Sequence, residues 1–361
     1  MTAPQTESTP LQRRIFVFPY WADNAFIDIM YMASASRGIG IVKTYYLDDL
    51  QRAIESGNPG DVLHIHWTTR VCQEAASEED AEQRLTRFAG TLALAKERGV
   101  RIVWTVHNAM AHDARYVELE TQLYRVLAEA ADKIHIMNPQ TPEIVRETFT
   151  IDPAKTVAIP HPSYRGWYDN SLSRKSARAS LRLPQDAKAV LFFGNIKPYK
   201  GVLELIAAIK CLQEIDPSVH LLLAGRVSDA DRGVLDAALS SGVKHIKELG
   251  YIPAEDTPRW FNAADLTVLP YKRSLNSGSL QLAASFDLPA LVPDQAELRA
   301  VYGGEQWVGF YEEDREPREL AFRIAASLAE APRQRRAAYE FSRQYPPFAM
   351  SNDFADAVAQ L

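Results

Sequence analysis

Leu191-Phe192-Phe193-Gly194-Asn195-Ile196-Lys197-Pro198-Tyr199-Lys200-Gly201-Val202 is the stretch that decides the fold. Its apolar opening reads as a buried strand, Gly194 starts a tight turn, and Gly201 stands where a helix begins. Strand, glycine turn and helix in that order aim backbone N–H groups and the lysine ammoniums at one point, a receptor suited to a diphosphate, with Lys200 the expected ligand. Taken alone, the same turn also fits an ordinary strand-to-helix connection with solvated lysines. A second segment adds weight: Tyr271-Lys272-Arg273-Ser274-Leu275-Asn276-Ser277-Gly278-Ser279-Leu280-Gln281 follows a strand over 266–269 and precedes a helix of small residues. Ser277, Gly278 and Ser279 form that helix's first turn, where unpaired N–H groups and two hydroxyls suit phosphate oxygens and Gly278 permits close approach. A plain serine N-cap is the alternative. Both turns leave strands of one sheet and so face one carboxyl edge.

Outward from this core, β-branched or apolar runs at 187–193, 219–223, 245–248, 266–269 and 289–292 alternate with helices that start after Lys200, Asp229, Asp256 and Ser277. An earlier series, at 14–18, 40–45, 61–66, 101–106, 133–136 and 156–159, alternates with helical spacing such as 80–98 and 116–131. Each series is a βαβ progression that winds a parallel sheet in right-handed units. Between them, His161-Pro162-Ser163-Tyr164-Arg165-Gly166-Trp167-Tyr168 has no periodicity and reads as a linker. The 361 residues, 47% of them hydrophobic, suffice for two cores. The expectation is an α/β protein of two Rossmann-like, doubly wound domains, 1–165 and 166–345, facing each other across a cleft, with a last helix in 346–361 crossing back to the first.

Composition excludes several classes. A net charge of −6 gives no attraction for nucleic acid. Cys72 and Cys211 are too few and too far apart for a disulfide framework or a thiolate metal site, which fits a reducing, cytoplasmic setting. The polar stretch 1–11 lacks the apolar core of a signal segment, and no apolar run is long enough to span a bilayer. Membrane contact, if any, is peripheral.

In the first half, the strand over 101–106 delivers Thr105-Val106-His107-Asn108-Ala109-Met110-Ala111-His112-Asp113 at its carboxyl end, where ligand-facing residues belong. His64-Ile65-His66-Trp67 also ends a strand, and its histidines share one face. No third ligand at recognisable spacing joins them, so no metal is expected. His66 and Trp67 read as cleft lining or core, and His161 as a hinge or turn residue. Asp229-Ala230-Asp231 follows Ser228 as the acidic first turn of a capped helix rather than a metal motif. Gly38-Ile39-Gly40 precedes a strand and reads as a helix C-cap rather than a dinucleotide fingerprint.

With these residues in view, the second half resembles the donor-binding domain of the family 4 (group 1) and related glycosyltransferases of the B fold. Gly194 to Gly201 matches that family's Gly-x-x-x-x-x-Lys-Gly turn, and 277–289 lies where its second glycine-bearing helix start belongs. The segments 221–226, 249–253 and 263–265 also follow the pattern, so the resemblance covers 187–293 well and the first half more weakly. It implies a metal-independent hexosyltransferase that needs no cofactor, takes a UDP- or GDP-sugar as co-substrate, and acts on a saccharide or lipid-linked saccharide in surface polysaccharide assembly. Gly194, Asn195, Lys197, Lys200, Gly201, Arg226, Arg273, Ser277, Gly278, Ser279 and Gln281 are then the donor-binding residues. His107 matches the family's Thr-x-His position; His107 and Asp113 are the base candidates of an inverting transfer. Asn24, His66, Trp67, His112 and His161 are candidates for the acceptor or cleft.

Two departures stand out. The arginine that commonly follows the first glycine is Asn195 here, which leaves Lys197 or Arg273 to supply the charge. The family's Glu-x7-Glu pair falls on Ser274 and Leu282, neither acidic, so ribose recognition must differ, through Gln281 or a backbone group, and retention of anomeric configuration loses support. A nucleotide-sugar 2-epimerase on the same scaffold and a non-catalytic binding subunit are the alternatives.

Overall fold

The computed structural model describes residues 13–110, 114–272, 275–313 and 316–361. The chain divides into two compact units, Met1–Pro162 with Pro347–Leu361, and Ser163–Pro346.

Unit 1 runs β1 (Arg13–Phe18), α1 (Ala25–Met30), β2 (Ile39–Lys43), α2 (Leu47–Glu55), β3 (Val62–Ile65), α3 (Glu78–Glu97), β4 (Arg101–Thr105), α4 (Val117–Ala130), β5 (Lys133–Ile136), α5 (Thr141–Val145) and β6 (Thr156–Ala158). Its six strands are parallel in the order β2-β1-β3-β4-β5-β6. Ile15, Phe16, Val17 and Phe18 of β1 are all buried, the unbroken apolar run expected of a strand covered on both faces. Helix α3 starts where Ser77 accepts a hydrogen bond from the Asp80 N–H at 3.2 Å, with Glu78, Glu79 and Asp80 set against the positive end of the helix dipole. Gly38, with φ +68°, ends the turn before β2 as a left-handed cap.

Unit 2 runs α6 (Arg174–Ser180), β7 (Lys188–Phe193), α7 (Val202–Ile215), β8 (Val219–Ala224), α8 (Asp229–Leu239), β9 (His245–Glu248), α9 (Thr257–Ala263), β10 (Leu266–Val268), α10 (Gly278–Ser285), β11 (Ala290–Pro293), α11 (Ala296–Tyr302), β12 (Val308–Tyr311) and α12 (Pro317–Gln344). The order β12-β11-β10-β7-β8-β9 is again all parallel. Ser228 caps α8 by accepting from the Asp231 N–H at 3.1 Å, so Asp229 and Asp231 are first-turn acids and not a metal pair. The chain then returns to unit 1 with α13 (Pro347–Ala359). It buries Met350, Phe354, Ala355 and Val358, and Ser351 Oγ fastens it by accepting from the Ala33 N–H at 2.7 Å and donating to the Met30 carbonyl at 3.1 Å. Unit 2 goes beyond the sequence reading with α6, α11, the edge strand β12, whose short run is broken by Gly309, and the long helix α12, which carries Pro332 in its interior.

Candidate functional site

In unit 2 the strand order reverses between β7 and β10, the first and fourth strands of the unit, each of which continues away from the other. Open α/β sheets bind ligands beside such a reversal, outside the carboxyl ends of the strands. The loops that leave β7, β8 and β10 are knitted together at that edge. The Gly194 N–H donates to the Ala224 carbonyl at 2.9 Å, the Ile196 N–H to the Arg226 carbonyl at 2.7 Å, and the Lys272 N–H to the Tyr199 carbonyl at 3.0 Å. Two glycines make the fit possible. A Cβ on Gly225, whose φ is +147°, would lie 1.8 Å from the Gly194 oxygen, and one on Gly201, at φ +64°, 2.2 Å from the Pro270 oxygen. No side chain can occupy either place.

This knot sets the side chains. Lys200 Nζ lies 5.0 Å from the centre of the Tyr271 ring and 3.8 Å from where a Cβ on Gly194 would stand, and the Tyr271 hydroxyl bonds Ser279 Oγ at 3.0 Å. The ammonium from the first turn and the hydroxyl from the first turn of α10 therefore engage the same tyrosine, one at its ring and the other at its hydroxyl. Gly278 is half-buried beside them; Asn195 and Lys197 lie exposed on the first turn, and Arg226 is exposed with its guanidinium 5.7 Å from the Tyr251 ring. Ser277 is 5% exposed and uses its oxygen to accept from the Leu280 N–H at 3.2 Å, so its side chain is a helix cap, leaving Ser279 as the hydroxyl at the corner. Gln281 is 3% exposed; its amide nitrogen donates to the Tyr302 hydroxyl at 3.3 Å, while its buried amide oxygen makes no hydrogen bond. Arg273 lies outside the described residues. Tyr271 had no role in the sequence reading, although an aromatic directly after a strand end was the available signal.

In unit 1 the ends of β3, β4 and β5 hold a chain of buried polar groups. His66 Nδ1 and His107 Nε2 are 3.0 Å apart; His66 Nε2 meets the Tyr31 hydroxyl at 2.8 Å, and the same hydroxyl meets His64 Nδ1 at 2.5 Å. His64 Nε2 lies 2.7 Å from Thr105 Oγ1, which lies 3.0 Å from His135 Nδ1, and His135 Nε2 donates to the Ile159 carbonyl at 2.8 Å. Phe354 of α13 stacks on His64 with ring centres 4.7 Å apart. Burial disfavours the imidazolium throughout: His66 is pushed down to about 3 and His135 to about 4, and His64 and His107 fall well below the usual value. Trp67 stacks on His107 at 4.0 Å, and both line a small recess with Thr69 and Asn108.

The remaining candidates have local duties. Asn24 caps α1, its Oδ1 accepting from the Phe26 N–H at 3.1 Å. His161 donates from Nδ1 to the Pro162 carbonyl at 2.8 Å and packs 4.9 Å from the Phe26 ring, which itself lies 5.4 Å from His107; burial pushes His161 down to about 4. His112 and Asp113 lie outside the described residues. Among the described residues no three His, Cys, Asp or Glu side chains are grouped to hold a metal ion. Tyr31, His64 and His135 escaped the sequence reading as site residues, because a polar chain threaded across three strands leaves no local spacing to detect.

Residues 187–330 match the model of the family described as glycosyl transferases group 1. Over 70% of this chain, and 67% of the relative, the sequence is 29% identical to a GDP-mannose:glycolipid 4-beta-D-mannosyltransferase of Xanthomonas campestris pv. campestris. The chain is a B-fold glycosyltransferase. Solved structures agree on the architecture of this transferase. Anabaena HepE in complex with UDP and glucose has a TM-score of 0.69 at 12% identity, covering 97% of this chain and 100% of that one. Sucrose-phosphate synthase from Thermosynechococcus elongatus has a TM-score of 0.74 at 16% identity, covering 97% and 98%. At such identities these likenesses speak to the fold alone.

Proposed function

We propose that this transferase binds a nucleoside diphosphate sugar on unit 2 and passes the hexose, with inversion, to a lipid-linked saccharide bound by unit 1. The carrying observation is the meeting of Lys200, Tyr271 and Ser279 at the strand reversal of unit 2. An ammonium on the tyrosine that bonds the first turn of α10 is suited to the negative charge that gathers on the diphosphate as the glycosidic bond breaks. The GDP-mannose of the Xanthomonas relative supports the donor class, and that relative's glycolipid supports the acceptor class. A β-mannosyl product arises by inversion when the donor phosphate is α-linked, and inversion needs a base for the acceptor hydroxyl. Neutral His107, stacked on Trp67 in the recess of unit 1, is the base in this reading, with Asp113 the second candidate. Work on a lipid-linked acceptor would bring the protein to the cytoplasmic face of a membrane as a peripheral visitor, since among the described residues no helix is long and apolar enough to cross one.

Thermal shift and turnover test the donor half together. GDP, UDP and their sugars are titrated against the intact chain, and the matching nucleotide raises the melting temperature because it binds only the folded state. Lys200→Ala lowers turnover on that donor at least roughly tenfold and weakens the shift, while leaving the unliganded melting temperature within a few degrees. Unchanged turnover removes Lys200 from the site.

A further inference from the structure

The buried polar chain of unit 1 ends on a group that can only accept. A carbonyl oxygen has no hydrogen, so His135 Nε2 must carry the proton it shares with Ile159 at 2.8 Å. A neutral imidazole has one N–H, so His135 Nδ1 accepts, and the Thr105 hydroxyl, 3.0 Å away, must donate to it. Thr105 has then spent its only hydrogen, and His64 Nε2 must donate to its oxygen at 2.7 Å. His64 Nδ1 therefore accepts from the Tyr31 hydroxyl at 2.5 Å. With that hydrogen used, His66 Nε2 must donate to the Tyr31 oxygen at 2.8 Å, His66 Nδ1 must accept, and His107 Nε2 must donate to it at 3.0 Å. Reversing any single link would set two lone pairs, or two hydrogens, against each other among buried side chains, which is unfavourable because a buried polar group left without its bond loses its hydration unrepaid. Burial holds all four imidazoles uncharged near neutral pH.

We propose that His135, Thr105, His64, Tyr31 and His66 are positioning residues that transmit the polarity of the Ile159 carbonyl to His107, fixing it as the Nε2–H tautomer with Nδ1 as its proton acceptor. Whatever Nδ1 meets, it meets as a lone pair. The meaning for catalysis rests on the base role proposed above; the tautomer itself does not. In the transfer, the acceptor O–H breaks as an N–H forms at Nδ1, the freed oxygen bonds the anomeric carbon, and the diphosphate leaves with the electron pair of the old glycosidic bond. The imidazolium then holds a charge-assisted hydrogen bond from Nε2 to His66 Nδ1. A side chain free to exchange tautomers would offer the lone pair only part of the time.

The test is nitrogen-15 NMR of the full chain labelled at histidine, with ring resonances assigned by His107→Gln and tautomers read from two-bond nitrogen–proton correlations at pH 7.5. The expected result is a single His107 form with a pyridine-type Nδ1 and a protonated Nε2. Tyr31→Phe and Thr105→Val each cut the relay, and in either variant His107 turns into a mixture of tautomers. A wild-type His107 protonated at Nδ1 overturns the proposal without recourse to any variant. So does a His107 that stays a single Nε2–H form in both variants. If the wild type shows the expected tautomer and His107→Gln keeps full turnover, the relay stands and the base role alone falls.

Discussion

At the scale of single residues, the buried histidines tie the stability of unit 1 to acidity. Unfolded imidazoles take up protons near pH 6.5. In the folded unit His66 resists protonation down to about 3, and His135 and His161 down to about 4, because burial disfavours the charge. Between those limits the unfolded chain binds more protons than the folded one. The stability is therefore complete above about pH 6.5 and falls as the pH drops towards 4, by up to about 1.4 kcal/mol per pH unit for each such histidine. Urea denaturation followed at pH 7.5, 6 and 5 should show the midpoint of unit 1 falling over this range. A midpoint independent of pH in that window would mean that these imidazoles are not held neutral by the fold.

Among the elements, the junction of β7, β8 and β10 makes the sharpest demand on sequence. An alanine Cβ at position 225 would collide with the Gly194 oxygen, at a φ of +147° that side chains avoid. Gly225→Ala should cost about 3 kcal/mol of unit 2 stability and weaken nucleotide binding as well, because moving Gly194 moves the turn that carries Lys200. The observation to make is a lowered urea midpoint together with a weaker thermal shift; a variant of wild-type stability would show the junction to be slack. The same junction explains what could be read from the chain alone. Gly194, Lys200 and Gly278 mark turns after strands, and turns are written locally in glycines and caps, so the two parallel sheets and the loops at the strand reversal were legible. The burial of Gln281 was not legible because a polar residue on a helix start does not declare which face of the helix it occupies. The Tyr31 to His135 chain was invisible because its members are contributed by the residue that caps α1 and by β3, β4 and β5, and meet only after the sheet is wound.

On the scale of the whole molecule, unit 1 is discontinuous and unit 2 is not. Helix α13 buries Met350, Phe354 and Val358 in unit 1, each contributing about 1.5–3 kcal/mol, and lays Phe354 over His64. A chain ending at Pro346 should therefore lose most of the stability of its first unit while the second still melts near its usual temperature. Two separated transitions in calorimetry, only the earlier one displaced, would bear this out; an undisplaced first transition would show α13 to be dispensable.

That late return also sets an order of events during synthesis. The ribosome releases residues 13–162 long before residues 347–361 emerge, so the first sheet must wait with its histidines uncovered while all of the second is translated and folded. A polypeptide cut short anywhere in between lacks Phe354 and the rest of α13, and so leaves His64 without the ring that stacks on it.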